Sequence, residues 1–121
     1  AIILPPGDNG EYDLKVVTKS GKHLSGATEL SRGTREELYL SLRLALAKDF
    51  ASRLGTLPFI ADDVFVNFDP SRADAAMVAL SYFSADNQTL LFTFHPETVA
   101  RAKRLIPGSN HINLPPIHGA L

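Results

Sequence analysis

The apolar residues change period along the chain. Tyr12, Leu14 and Val16 alternate with charged or polar neighbours, and Ser20-Gly21-Lys22 precedes a second short extended run through His23 and Leu24. Period two on both sides of a glycine turn predicts an antiparallel hairpin. From Thr34 to about Leu54 the period becomes helical. Leu38, Leu42, Ala45 and Leu46 recur at three and four, Thr34 and Glu37 offer a capping box, and Gly55 then Pro58 stop the pattern. Leu57 to Ala61 is a short apolar run ending in Asp62-Asp63, which predicts a strand buried on both faces whose carboxyl end opens on a site. Asp69 can cap the next helix, with Pro70 in its first turn, Ala73, Met77, Leu80 and Phe83 on one face, and Asp86-Asn87 at its end. Thr89 to Phe94 predicts a second buried strand. Pro96 and Glu97 then open a third helix, Arg101, Lys103 and Arg104 complement the dipole at its end, and Pro107-Gly108 closes it. His111 to Leu114 predicts one further strand before Pro115-Pro116 and a surface tail.

Strand, helix, strand, helix, strand from residue 57 onward implies parallel pairing through crossovers. The expected architecture is α/β: a mostly parallel sheet with flanking helices plus an N-terminal β-hairpin, the hairpin and first long helix packing against that sheet. A chain of 121 residues, 45% hydrophobic and 21% charged, suits a single domain over residues 1–121. The net charge of -1 gives no long-range field for nucleic acid, so any DNA contact is local or lies elsewhere. The lack of cysteine excludes disulfides and thiolate metal sites, and the four histidines have no ligand spacing. No apolar run reaches the roughly eighteen residues of a membrane span, and Ala1 to Pro6 lacks the flank of a signal peptide. A cytoplasmic protein with no membrane partner is the expectation. The start at Ala1, without Met, suggests an excised piece of a longer chain.

The candidate chemistry lies at element ends. Ser31 and Gly33 sit at the start of a helix, where unpaired N–H groups and the dipole bind phosphate, although the same pair also serves as a plain cap. Asp62 and Asp63 end a strand, where one carboxylate can hold Mg²⁺ and the next orient an attacking water; equally, they can simply begin a loop. Asp69 is an N-cap, and His95 follows an apolar strand where an imidazole can donate to a phosphate oxygen. Gly21-Lys22-His23 is not a phosphate loop, because G-x-x-x-x-G-K-[ST] needs glycine where Val16 stands and a hydroxyl where His23 stands. Arg101, Lys103 and Arg104 form a solvated helix end that could also meet a DNA backbone.

Taken in order, Leu30-Ser31-Arg32-Gly33-Thr34, Leu57 to Asp63, Asn67-Phe68-Asp69 and Phe92-Thr93-Phe94-His95 resemble four motifs of an ABC-type ATPase head. These are the signature loop, Walker B strand, D-loop and switch histidine found in structural-maintenance-of-chromosomes (SMC) proteins and their SbcC-like and YhaN-like relatives. The resemblance covers roughly residues 12 to 114. Arg32 replaces the usual first glycine and Thr34 a common glutamine or glutamate, a version that looks like the YhaN-type branch.

The resemblance implies the C-terminal lobe of a P-loop NTPase head, a partial fold whose Walker A loop belongs to a separate N-terminal lobe. In such proteins two heads sandwich ATP. Ser31 and Gly33 would then touch the γ-phosphate of ATP on the opposite head, Asp62 would hold Mg²⁺, Asp63 would act on the attacking water, and His95 would reach the γ-phosphate. Asp69 would belong to the head interface. Asp63 stands where the family has a catalytic glutamate and is one methylene shorter. The implied cofactors are ATP and Mg²⁺. The implied partners are the Walker A lobe, a second head as homodimer, DNA and a nuclease subunit, in double-strand-break repair or chromosome maintenance. Alone, the chain would lack ATPase activity for want of Walker A. Two rival readings stay open: a metal-dependent phosphotransfer or nuclease domain using Asp62, Asp63 and Asp69 as a carboxylate cluster, and a non-catalytic dimerisation module.

Overall fold

The expected hairpin turns at Gly21, whose φ of +80° is a left-handed conformation that glycine adopts without steric cost. Thr18 closes the turn: its carbonyl accepts from the Gly21 amide at 3.0 Å and its hydroxyl from the Lys22 amide at 3.0 Å. The computed structural model describes residues 2–3, 15–25 and 29–115, so Tyr12 and Leu14 lie outside the described residues. Strands β2 (Lys15–Val17) and β3 (His23–Ser25) pair antiparallel, and β1 (Ile2–Ile3) adds a strand on the other edge of β2. The hairpin is thus part of a three-stranded antiparallel sheet.

The long helix α1 runs Arg32–Leu54 and starts ahead of Thr34, because the cap is Ser31: its Oγ accepts the Thr34 amide at 3.3 Å. Its buried stripe also differs from expectation. Leu40 is buried and Leu44 packs against the core, whereas Ala45 is exposed and Leu46 is 62% exposed. The reason lies at Gly33, where an added Cβ would stand 3.0 Å from the Asn67 carbonyl. This close approach fixes the helix rotation, and Leu40 and Leu44 follow on the same stripe.

Strand β4 (Phe59–Asp62) and strand β5 (Thr89–Phe92) pair in parallel, joined through α2 (Pro70–Ser84), with Phe59 opposite Thr89 and Asp62 opposite Phe92. This is a two-stranded parallel sheet within an α/β chain. The third parallel strand expected at His111–Leu114 is absent. After α3 (Pro96–Leu105), the Ser109 amide and hydroxyl both turn back to the Ile106 carbonyl, at 2.9 and 2.7 Å, and residues 110–115 then run exposed. Burial on both strand faces is also corrected. Phe59 and Leu91 pack against the core, but Ile60 is 65% exposed, and Leu90 and Phe92 face solvent beside it. β5 stops at Phe92 because its partner strand turns away at Asp63, whose amide makes the last bond, to the Phe92 carbonyl, and whose φ is +45°.

Helix α2 occupies the centre. Both α1 and α3 pack on it, and its Ala73, Ala76, Met77, Leu80 and Phe83 are buried at three-and-four spacing, as the periodicity requires. Met77 is fully enclosed, and Phe59 meets Phe83 edge-on with ring centroids 5.4 Å apart. Thus α1 reaches the core mainly through α2 and not by lying on the sheet. Polar ends are closed as well. Asp69 caps α2 through the Arg72 amide at 3.0 Å, and Asn87 Nδ2 donates to the Phe83 carbonyl at 3.0 Å. Asp74 of α2 clasps α3, accepting from Arg101 Nε at 2.6 Å and from Arg104 Nη2 at 2.7 Å. No helix among the described residues is long and apolar enough to cross a membrane.

Candidate functional site

Parallel strands present their carboxyl ends together, so the residues following β4 and β5 meet. Asp62 is the last residue of β4 and is exposed. Asp63 continues the ladder, its amide donating to the Phe92 carbonyl at 3.0 Å, and then leaves the strand at φ +45°. That left-handed conformation is uncommon away from glycine, although Asp and Asn tolerate it, and it concentrates at functional positions. Its carbonyl accepts the Val66 amide at 3.3 Å, which begins the loop toward Asp69.

On the neighbouring strand end, the Thr93 hydroxyl ties two groups together. It accepts the His95 amide at 3.1 Å and donates to Asp63 Oδ1 at 2.7 Å. Because the amide can only donate, the hydroxyl proton is directed to the carboxylate. The His95 ring stands at the edge of this pair, Nε2 4.0 Å from Asp63 Oδ1 and Nδ1 3.9 Å from Glu97 Oε1. Nε2 is shielded from solvent without a hydrogen-bond partner, and Phe94 lies against the ring at 4.0 Å between centroids. His95 also supplies the backbone N-cap of α3, without a side-chain cap bond. A cleft of about 270 Å³ opens beside it, between Phe65, Phe68 and Pro70 on one side and His95, Thr98 and Arg101 on the other.

Ser31, Gly33 and Asp69 form a second cluster. Thr34 Oγ1 lies 2.8 Å from Ser31 Oγ and accepts from Arg72 Nη1 at 2.8 Å. Arg72 Nε lies 3.3 Å from Asp69 Oδ2 and 3.7 Å from Glu37 Oε2. Glu37 therefore serves Arg72 instead of the expected capping box. Asp69 is both the α2 cap and a member of this cluster.

The expected residues thus fall into two groups, Asp62, Asp63 and His95 in one and Ser31, Gly33 and Asp69 in the other. Asp62, Asp63 and Asp69 do not converge: among the described residues no three carboxylates or histidines could hold a metal ion together. The three-aspartate arrangement of the nuclease-like rival is therefore not formed. Arg101 and Arg104, read from sequence as a solvated helix end, are engaged with Asp74. Sequence reasoning did not single out Thr93 or Arg72. Thr93 left a signal as the hydroxyl within Leu90-Leu91-Phe92-Thr93-Phe94, and Arg72 as a cation three residues past a capping aspartate.

No family model matches the chain. A stretch of 72 residues is 44% identical to a Bacillus subtilis (strain 168) protein named "Uncharacterized protein YhaN", covering 57% of this chain and 7% of that protein. The chain is therefore similar to a small part of a much longer relative.

Proposed function

We propose that the chain is the C-terminal part of an ATP-binding and ATP-hydrolysing head of the SMC/SbcC-like type, a partial P-loop NTPase. The observation that carries this reading is the meeting of Asp63 with Thr93 and His95 at the ends of two parallel strands, with Asp62 the exposed residue before it, apart from a Ser31–Gly33 helix start. A carboxylate beside an imidazole, with a second, exposed carboxylate next to it in the chain, suits one face of a phosphate site, and a separate helix start suits phosphate held by another head.

In this reading Asp63 accepts a proton from the water that attacks the γ-phosphorus, while the Thr93 hydroxyl fixes which carboxylate oxygen remains free. The His95 imidazole turns to donate to a γ-phosphate oxygen: its Nε2 has no hydrogen-bond partner to give up, and it is shielded from solvent where it stands. Asp62, an exposed carboxylate, fits Mg²⁺, which is commonly bound by one or two carboxylates together with phosphates and water. When bound, that ion neutralises phosphate charge. Ser31 and Gly33 serve the ATP of a second head, and Asp69 its interface.

A second observation supports a missing lobe. Parallel sheets are normally covered on both faces, yet Ile60, Leu90, Phe92 and Phe94 are exposed on and beside the two-stranded sheet. A Walker A lobe would cover them and supply the phosphate loop. Work in double-strand-break repair or chromosome maintenance, with DNA and a nuclease subunit, follows from the family resemblance. The same apolar surface also suits a non-catalytic dimerisation module.

The test is Mg-ATP turnover and head pairing, with the chain alone and joined to its Walker A lobe, in wild type, Ser31→Arg and Asp63→Asn. The chain alone should turn over no ATP. The joined protein should pair with ATP and lose turnover in both variants, with pairing lost in Ser31→Arg. Self-association indifferent to ATP would replace this reading with the dimerisation module.

A further inference from the structure

We propose that Arg72 is a positioning residue that sets the direction of the Ser31 hydroxyl and ties the start of α1 to the Asp69 loop. The role for ATP rests on the reading above; the link itself rests on geometry alone. Arg72 leaves the first turn of α2, crosses to α1 and places Nη1 2.8 Å from Thr34 Oγ1. A guanidinium can only donate, so Thr34 Oγ1 must accept there. Thr34 Oγ1 lies 2.8 Å from Ser31 Oγ, which already accepts the Thr34 amide at 3.3 Å.

Two arrangements of the hydroxyl protons satisfy the Ser31–Thr34 contact. If Ser31 donates to Thr34, its proton is spent inside the turn. If Thr34 donates to Ser31, the Ser31 proton points outward to a ligand. A cationic donor on Thr34 Oγ1 polarises that hydroxyl and makes it the better donor, which favours the second arrangement. The sequence of donation is then Arg72 to Thr34, Thr34 to Ser31, and Ser31 outward.

The same arginine is held from behind by Asp69 Oδ2 at 3.3 Å and Glu37 Oε2 at 3.7 Å. Gly33 allows the approach, since a Cβ there would stand 3.2 Å from Nη1. A displacement of the Asp69 loop, such as pairing with another head would impose, would therefore withdraw Arg72 from Thr34 and change what Ser31 offers.

The Thr34 amide reports the far end of the link, because it senses where Ser31 Oγ stands, which the Thr34 hydroxyl helps to fix. It lies in the first turn, has no intrahelical acceptor and donates to Ser31 Oγ. Amide hydrogen exchange of this chain is to be compared in wild type, Arg72→Gln, Thr34→Val, the double variant and Thr34→Ser. Each of the first two variants should speed exchange at Thr34 by about tenfold, the size of one hydrogen bond. The double variant should be no faster than either, and Thr34→Ser should resemble wild type. Thr34→Val leaves the arginine in place and keeps the test valid should Arg72→Gln unfold. Exchange within about twofold of wild type in both single variants, or simple additivity in the double, overturns the link. In the two-lobe protein Arg72→Gln should weaken ATP-driven pairing about tenfold and add nothing to Ser31→Ala. An intact link without ATP-dependent pairing overturns the ATPase reading and the role of Ser31 toward ATP, while the Arg72–Thr34–Ser31 geometry stands.

Discussion

Thr93 shows how much one hydroxyl can decide. It satisfies the His95 amide and orients the Asp63 carboxylate with the same oxygen. Valine has nearly the same shape but neither donor nor acceptor, so Thr93→Val leaves a part-buried amide unpaired and frees Asp63 to rotate. We expect a stability loss of about 1–2 kcal/mol in thermal or urea unfolding. If the chain completes an ATPase head as proposed, the joined two-lobe protein should show a fall of about ten- to a hundredfold in kcat with KM little changed, the signature of lost orientation. Thr93→Ser, which retains the hydroxyl, should recover most of both. An unchanged kcat in Thr93→Val would remove Thr93 from the chemistry.

At the level of elements, much of the layout was readable and the departures have physical causes. The α2 face, the caps at Ser31 and Asp69, and the β4–α2–β5 order all follow from local rules: spacing at three and four, short polar residues before helices, and apolar runs between turns. The α1 stripe departs from expectation because leucines lie all around that helix, and the face that turns inward is the one that carries Gly33 against the Asn67 carbonyl and Leu40 and Leu44 into the core. Helical periodicity carries no information about that distant carbonyl. The strand at His111–Leu114 was read from Ile112 and Leu114, which are 76% and 72% exposed; alternation needs a neighbouring strand before it becomes structure. Between α2 and α3 the helix end expected to be solvated instead meets a partner, because Asp74 lies across from Arg101 and Arg104. The Arg104 and Arg101 guanidiniums beside Asp74 hold its carboxyl below the ordinary value of 3.8. A lowered folded-state value means that this clasp contributes above about pH 3.8 and is lost as the pH falls below it toward the folded value. Wild type should therefore lose urea stability over that acid range more steeply than Asp74→Asn, and equal slopes would show that the clasp adds nothing.

Among the described residues, the parallel sheet is covered on one side and open on the other. One side holds Met77 and its neighbours; the other presents Ile60, Leu90 and Phe92, with Phe94 at 79% exposure. Contiguous apolar surface of this kind marks an interaction site. Replacing Ile60 and Phe94, the most exposed of these residues, by threonine should keep the chain's own stability within about 1 kcal/mol, since surface substitutions away from packing have small effects. On the proposed reading, the same change should abolish capture of a separately produced Walker A lobe in a pull-down. Undiminished capture would place the docking surface elsewhere, with Leu46, Phe50 and Leu54 of α1 the next candidates.

The backbone at Asp63 carries a consequence for how such a site can change. At φ +45° a short polar side chain is tolerated, whereas a longer one loses about 1 kcal/mol or more. Asp63→Glu should therefore lower stability by about that amount even though it supplies a longer acid. Asparagine should fold as well as aspartate, because it accepts the same conformation and can still receive the Thr93 hydroxyl. The length of the acid and the shape of the bend after it are therefore coupled: this turn favours a short acid, and a longer one escapes the cost where the path from Asp63 to Val66 is rebuilt.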